Sequence, residues 1–331
     1  MRTHRLSAVI NGRAAAVAEL RDSLETDGFA VFDRCGIPSV LFDSLEHELG
    51  RFFNLDLATK QQYERADIGR QRGYTSPRTE HARDQPPEAA DLKEFWQDGP
   101  PNSENLGLLP NLVTGYSVFD QTRGAFHDAL RGQVDVILRV IAPILDVNPD
   151  WLVNYAAGGD DIVRYLRYFS LAGVDFPQGT VRSAPHTDIN LITLLLTRGK
   201  GLTVENTRGE RVEVDIGPRQ LVVQMGDMID VLSGGRLPAT KHWVENPDDL
   251  NTERSSIALF NHPAPLRWVD VLPHLKPSDG PLANWDARTE RSFTFERLIE
   301  IGILEAPNPF AHERASRGYT VPTNWADGNQ P

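Results

Sequence analysis

The chain has 331 residues, a formal net charge of −12 and an isoelectric point near 5.2, with 40% hydrophobic residues and a single cysteine. This acidic composition disfavours nucleic acid and anionic membranes as partners, indicates a small-molecule ligand and points to no particular partner protein. One cysteine excludes an intramolecular disulfide, and without a signal-peptide pattern or a membrane-length apolar run the expected location is the cytoplasm.

The N-terminal half is predicted to be mainly helical. Apolar spacing indicates a helix over Arg13–Thr26, a short strand at Phe29–Phe32 and a second helix that Ser39 caps. The polar segment Gln71–Pro110, rich in Pro and Gly, is predicted to be a long loop, and such loops are usually functional. Helical periodicity returns over Tyr116–Val147.

From Asp161 onward, short runs rich in β-branched and aromatic residues are separated by Gly, Pro and Asn. Such runs are typical of a sandwich or barrel, and their number suits a jelly roll. The candidate strands are Ile162–Phe169, Ile189–Leu196, Leu202–Glu205, Arg211–Val214, Gln220–Gln224, Met228–Leu232, Lys241–Val244 and Ser255–Asn261.

The expected fold is therefore one mainly β domain with flanking α-helices. An N-terminal helical and loop region (residues 1–160) packs on a jelly-roll catalytic core (residues 161–263). A C-terminal helix near Phe295–Ile303 and a polar tail complete the chain (residues 264–331).

A candidate metal site begins with His186 and Asp188, which precede the apolar run Leu191–Leu196. In an extended segment residues i and i+2 share a face, so this imidazole and this carboxylate can bind one cation. His242, at the start of another predicted strand, is the candidate third ligand, although a lone histidine in a β protein is more often an ordinary hydrogen-bonded residue. Two imidazoles and one carboxylate with open coordination positions are typical of non-haem Fe(II) oxygenases.

A candidate anion site follows at Arg254 and Ser256, which share a face at the start of an apolar strand. A guanidinium with a neighbouring hydroxyl can bind a carboxylate through charge-assisted hydrogen bonds. The structural alternative is an ion pair between Arg254 and a protein carboxylate such as Glu205 or Asp230.

These motifs, in this order, resemble the iron- and 2-oxoglutarate-dependent dioxygenases of the isopenicillin N synthase-like family. The resemblance extends over most of the chain. The matching motifs are Asp27-Gly28-Phe29, Arg72-Gly73-Tyr74, Leu92-Lys93-Glu94, His186-Thr187-Asp188, Gly201-Leu202-Thr203-Val204, Gln224-Met225-Gly226-Asp227-Met228, Ser233-Gly234-Gly235, His242 and Arg254-Ser255-Ser256.

The resemblance implies a double-stranded β-helix, or jelly roll, in which His186, Asp188 and His242 hold Fe(II). It also implies 2-oxoglutarate as the cosubstrate, bound to iron through its keto-acid end and to Arg254 and Ser256 through its distal carboxylate.

A tyrosine from the strand before the HxD motif often joins that carboxylate site in the family, and Tyr168 is the nearest match. A slip of one residue would turn Arg167 inward instead, because neighbouring residues of a strand face opposite sides. Arg167 could then contact an acidic substrate.

The activity that the resemblance implies is oxidation of an unactivated C–H bond of a small metabolite by O2, with release of succinate and CO2. Hydroxylation is the default, desaturation or cyclisation are variations, and ascorbate is expected to support turnover in vitro. Because Asp188 occupies the carboxylate position, halogenation is disfavoured. Secondary metabolism, including antibiotic biosynthesis, is the expected context.

Two alternatives stay open. One is an oxidase of the same family that uses O2 without 2-oxoglutarate, with a substrate carboxylate at Arg254. The other is a non-catalytic jelly roll that binds a structural metal such as zinc. Open coordination argues against the second, since structural zinc is usually closed by four protein ligands.

The substrate is expected to meet the long loop, the strand before the HxD motif and the C-terminal helix. The candidate residues there are Arg72, Tyr74, Trp96, Arg167 and Phe293, with Arg78 and Arg164 as further arginines. So many arginines favour an acidic substrate. The loop and the last helix are also expected to close over the iron as a lid.

Overall fold

Fourteen strands and eight α-helices make up the described part of the chain, which comprises residues 2–80, 90–217, 219–300, 303–304 and 307–314 of a computed structural model. The strands are β1 (Thr3–His4), β2 (Phe29–Phe32), β3 (Gly73–Thr75), β4 (Glu94–Asp98), β5 (Ile162–Tyr168), β6 (Ser183–His186), β7 (Ile192–Arg198), β8 (Leu202–Glu205), β9 (Arg211–Glu213), β10 (Leu221–Met225), β11 (His242–Val244), β12 (Arg254–Asn261), β13 (Trp268–Val269) and β14 (Arg288–Thr289). The helices are α1 (Leu6–Ile10), α2 (Ala14–Asp27), α3 (Ser39–Phe53), α4 (Leu57–Gln61), α5 (Ser117–Ile141), α6 (Trp151–Ala156), α7 (Asp227–Leu232) and α8 (Glu290–Glu300).

Two packed sheets build the jelly-roll core. The larger sheet has the strand order β1-β2-β10-β7-β12-β5-β4-β3, and the smaller has the order β6-β11-β8-β9. Their facing sides share one apolar cluster, because side chains of a strand alternate between its two faces. The buried members of this inner cluster are Phe29, Val31, Phe95, Leu166, Tyr168, Leu195, Leu202, Val204, Val214, Val222, Val244 and Ala258.

The outer face of the larger sheet is covered by helices. Trp96 pairs with Tyr165 across β4 and β5, and Tyr165 pairs with Ile257 of β12, so all three side chains share this face. They belong to a large apolar cluster that also contains the buried stripe of α5. That stripe consists of Phe119, Phe126, Leu130, Val134, Ile137, Leu138 and Ile141, spaced so that they lie along one side of a helix.

Most predicted strands and the N-terminal helix–strand–helix order are confirmed, with three corrections at helix ends. Ser39 is the first residue of α3 rather than its cap; Pro38 precedes it and no side chain caps the helix. The predicted helix over Tyr116–Val147 gives way at residue 142 to a tight 3-10 turn that contains Pro143, because proline has no N–H for the helical ladder. The last helix begins at Glu290, earlier than predicted.

The predicted strand Met228–Leu232 is wrong, because these residues form helix α7. A run of five residues of which four are apolar fits either structure, and the four buried ones fall at helical spacing: Met228, Ile229, Val231 and Leu232. Strands β3 and β4 lie within the segment Gln71–Pro110, so the prediction of a loop is wrong there. Strand β6 was also not predicted as a strand, since Pro185 and two small residues obscure its alternation of apolar and polar side chains.

The proposed lid is described only in part, because residues 81–89 of its loop and residues 301–302 after α8 lie outside the described residues. Within the described chain, no helix combines the length and the apolar character needed to cross a membrane.

Candidate metal centre

Three potential metal ligands meet where β6 and β11 pair. His186 ends β6, His242 begins β11 directly opposite it, and Asp188 follows β6 by two residues. Asp188 Oδ1 lies 3.8 Å from His186 Nε2 and 3.7 Å from His242 Nε2, and one ligand atom from each residue falls within 4.8 Å of the others. Ligands about 2.1 Å from a shared ion lie roughly 3–4 Å apart, so these atoms suit one cation.

Hydrogen bonds orient His186 and Asp188, and burial sets the charge state of His242. Nδ1 of His186 donates to the carbonyl oxygen of Ala184 at 2.7 Å, which leaves Nε2 as the metal-binding nitrogen. Burial lowers the pKa of His242 to about 4, against the opposing charge of Asp188, and therefore keeps this imidazole neutral. The second oxygen of Asp188, Oδ2, accepts a hydrogen bond of 2.6 Å from Thr193 Oγ1.

The donor set favours iron in an open site. Two imidazoles and one carboxylate are the facial arrangement of non-haem Fe(II) oxygenases. Among the described residues, no other group of three or more His, Cys, Asp or Glu side chains is placed to bind a metal. A closed structural zinc site needs four protein ligands, and the cluster offers three.

A cavity of about 340 Å³ opens next to these ligands. Its walls come from the HxD loop, the inner faces of β4, β5 and β12, and one side of α8. The side chains that line it include Gln71, Glu80, Asp91, Lys93, Gln97, Ile162, Arg164, Phe260, His262, Thr294, Arg297 and Leu298.

Arg254 and Tyr168 lie side by side deeper in the core. They are direct partners in the pairing of β12 with β5, and Arg254 Cζ lies 4.9 Å from the Tyr168 ring centroid. The structure therefore places Tyr168, and not Arg167, on the inner face of the sheet. Ser256 lies on the same face, and its hydroxyl forms a hydrogen bond of 2.9 Å with that of Thr197.

The guanidinium of Arg254 is only 4% exposed, and none of its three nitrogens makes a hydrogen bond of ordinary geometry within the described structure. The predicted alternative, an ion pair with Glu205 or Asp230, is not formed there. Burial lowers the pKa of Arg254, and Tyr168 partly offsets this effect. A buried cation without a partner is costly, so this site fits a carboxylate ligand.

Five predicted substrate residues do not line the cavity. Arg167 projects to the outer face, where it lies 3.6 Å from Glu94 and 3.2 Å from Glu253. Tyr74 and Trp96 are paired across β3 and β4 on that same face, within the helix-covered core.

Arg72 is fully buried and forms an ion pair of 2.6 Å with Asp160. Phe293 is buried against Trp285 on the far side of α8. Gln71, Gln97 and Thr294, the chain neighbours of Arg72, Trp96 and Phe293, line the cavity instead, and so does Arg164, three residues before Arg167.

The arginines of the cavity wall and Lys93 are already paired, whereas Lys241, which also lines the cavity, is exposed. Arg164 lies 3.0 Å from Glu80, Lys93 lies 2.7 Å from Asp91, and Arg297 lies 3.1 Å from Asp227 outside the wall. The arginines thus give no support for an acidic substrate. Arg164 and Tyr168 are four residues apart in β5, so their side chains lie on the same face of the strand. This spacing is the feature of the sequence that could have indicated Arg164, rather than Arg167, as a cavity residue.

Comparison with known proteins decides the family. The family described as "non-haem dioxygenase in morphine synthesis N-terminal" matches residues 4–112, and the "2OG-Fe(II) oxygenase superfamily" matches residues 162–263. The chain belongs to the 2OG-Fe(II) oxygenases. Fe(II), 2-oxoglutarate and O2 are accordingly the cofactor and cosubstrates of this enzyme.

Similar proteins support this assignment. The oxygenase is 27% identical over 274 residues to the 2-oxoglutarate-dependent dioxygenase frbA of Dothideomycetidae sp. (strain 11243), a match that covers 76% of this chain and 80% of frbA. A 2OG-Fe(II) oxygenase family protein from Caulobacter crescentus has a TM-score of 0.78 at 28% identity, covering 91% of this chain and 99% of that chain. A full-length Neurospora crassa protein in complex with alpha-KG and thymine has a TM-score of 0.76 at 21% identity, covering 90% and 96%, and shares the fold.

Proposed function

We propose that this oxygenase binds Fe(II) through His186, Asp188 and His242 and hydroxylates a C–H bond of a small molecule, with desaturation or cyclisation as variants. The observation that carries the proposal is the convergence of the three ligand atoms within 4.8 Å beside a cavity of about 340 Å³. When bound, Fe(II) and 2-oxoglutarate would allow O2 to oxidise the substrate, with conversion of 2-oxoglutarate to succinate and CO2.

The cosubstrate site is proposed to be Arg254, Ser256 and Tyr168. The unpartnered guanidinium of Arg254 would donate to the distal carboxylate of 2-oxoglutarate, and the Ser256 hydroxyl would add a further donor. In the oxidase alternative a substrate carboxylate would occupy the same position, and turnover without 2-oxoglutarate would identify it.

The cavity determines which part of a substrate reaches the metal. Ile162, Phe260 and Leu298 supply apolar contacts, while Gln97 and Arg164 offer polar groups on the same lining. Because Arg164, Lys93 and Arg297 of the wall are ion-paired, we propose a polar substrate that does not need to be acidic. Binding in this enclosed space would exclude water from the reacting carbon.

A small-molecule substrate is supported by the thymine bound to the Neurospora crassa neighbour. The cytosol is our proposed location, supported by Cys35, which is a buried free thiol.

The test is an untargeted metabolite screen with Fe(II), ascorbate and 2-oxoglutarate. One consumed metabolite, a product heavier by one oxygen atom and an equal amount of succinate are the expected results. Succinate formation that no metabolite stimulates, in a protein that binds iron and 2-oxoglutarate, would contradict the substrate part of the proposal.

A further inference from the structure

Arg182 is a second buried arginine in the part of the core that holds Arg254. It directly precedes β6, and its side chain is 1% exposed. Its Nη2 donates to the carbonyl oxygen of Phe169 at 3.2 Å and to that of Thr252. Phe169 follows Tyr168, and Thr252 lies two residues before Arg254, so Arg182 joins the two chain segments that present these residues.

The two guanidinium groups flank one aromatic ring. Arg254 Cζ lies 4.9 Å and Arg182 Cζ lies 6.0 Å from the Tyr168 ring centroid. Arg182 Nε, like the nitrogens of Arg254, has no hydrogen-bond partner among the described residues. Burial lowers the pKa of Arg182, and the positive charge of Arg254 lowers it further.

No described carboxylate forms an ion pair with either guanidinium. The nearest acid, Glu253, is half exposed and lies 3.2 Å from Arg167 on the other face of the sheet. Two buried like charges beside one ring repel each other, and the two carbonyl oxygens and the ring compensate only part of their desolvation. An anion bound in front of Tyr168 would be attracted to both.

We propose that Arg182 is a positioning residue of the 2-oxoglutarate site, which favours the distal carboxylate through its charge and holds Tyr168 and Arg254 in place. This inference rests on the proposed function. It favours keto acids with a second carboxylate, because the charge of Arg182 lies beside Tyr168 and Arg254, at the proposed site of that carboxylate, and acts most strongly there.

The experiment compares 2-oxoglutarate with 2-oxobutyrate, which has the same keto-acid end and no distal carboxylate. Each is titrated anaerobically into the full-length Fe(II)-loaded protein, and the visible absorption of the chelated iron gives the dissociation constant. Arg182→Gln should raise the constant for 2-oxoglutarate about tenfold, as expected for loss of one charge near a buried anion, and leave that for 2-oxobutyrate nearly unchanged.

Arg182→Lys keeps the charge and should retain most of the selectivity. Arg236→Gln is the matched control: it also removes a guanidinium that donates to a backbone carbonyl, that of Ile144 at 2.8 Å, and should leave both constants unchanged. If Arg182→Gln does not fold, Arg182→Met, which preserves more apolar packing, takes its place in the same comparison.

Equal weakening of both keto acids, or no weakening of either, would overturn the inference. The same titrations of Arg254→Gln distinguish this outcome from failure of the proposed function. If Arg254→Gln leaves 2-oxoglutarate binding unchanged, the cosubstrate site itself is misassigned. If only Arg254→Gln weakens it, the site stands and the role of Arg182 is refuted.

Discussion

Thr193→Val should weaken iron binding without touching a metal ligand. Thr193 Oγ1 donates to Asp188 Oδ2 at 2.6 Å, and both residues are buried. The other carboxylate oxygen, Oδ1, is the one that faces His186 and His242. Thr193 therefore fixes the rotation of the carboxylate and stabilises its charge, and valine keeps the shape of threonine while removing the donor.

The size of the effect follows from the hydrogen bond that is lost. A hydrogen bond to a charged group contributes about 1.5–3 kcal/mol, which corresponds to roughly ten- to a hundredfold in affinity. Loss of groups that support a metal ligand commonly costs about the same factor. Asn190 also donates to Thr193 Oγ1, at 3.1 Å, but its Nδ2 keeps a stronger bond of 2.6 Å to the carbonyl of Ile192.

The assay is anaerobic competition for Fe(II) against a chelator of known affinity, with thermal unfolding as a check on the fold. Thr197→Val is the matched control, because Thr197 lies on the same face of β7 and bonds Ser256 rather than Asp188. It should leave iron affinity unchanged. Equal iron affinity in Thr193→Val and wild type would refute the view that Thr193 supports the carboxylate ligand.

Three further predictions test other parts of the structure. Arg254→Lys should raise the dissociation constant for 2-oxoglutarate and leave iron content unchanged, because an ammonium lacks the planar fork of donors; unchanged binding would contradict this. Burial opposes the charged form of His262, but its hydrogen bond of 3.0 Å to Glu290, together with the negative charges of Glu290, Asp160 and Asp161, raises its pKa above the ordinary value. The stability that this pair contributes is present at low pH and lost as pH rises through the raised pKa, so His262→Phe should lower the free energy of unfolding more at about pH 6 than at about pH 8; equal losses in denaturant titrations would contradict it. At Gly226 a Cβ would lie 2.0 Å from a carbonyl oxygen, so Gly226→Ala should destabilise the fold by about 3 kcal/mol or more, whereas Gly50→Ala, in open space, should not.

The metal centre is the part of the site that the sequence predicts best. His186 and Asp188 are neighbours in the chain, so their shared face follows from local strand geometry. His242 is distant in sequence, and only the pairing of β11 with β6 brings it opposite His186. Its place at the start of a predicted strand made it a candidate, and the spacing of the family motifs strengthened that choice.

The substrate wall is the part that the sequence predicts worst. Both faces of β4 and β5 are buried, one by the second sheet and one by helices, so polarity does not show which residues point to the cavity. Trp96 and Arg167 lie on the helix-covered face, while Gln97 and Arg164 point inward. Trp96 and Gln97 are adjacent in the chain, so a shift of one residue moves the side chain to the other face. Arg167 and Arg164 are three residues apart, an odd spacing that also places them on opposite faces.

The ion pairs around the cavity could not be predicted from the sequence either. Glu80 is 84 residues from Arg164 in the chain, yet the two form one of the contacts that neutralise the wall. Only the folded structure shows that these arginines are paired, and this removes the reason for expecting an acidic substrate.

The most direct test of the central claim is 2-oxoglutarate-dependent succinate formation, measured with iron content, in wild type and His242→Ala. Wild type should bind one Fe(II) and form succinate only when 2-oxoglutarate is present. His242→Ala should lose most of both, while His274→Ala, which removes an imidazole that bonds the carbonyl of Leu145, should retain them. Full iron content and succinate formation in His242→Ala would contradict the assigned metal centre.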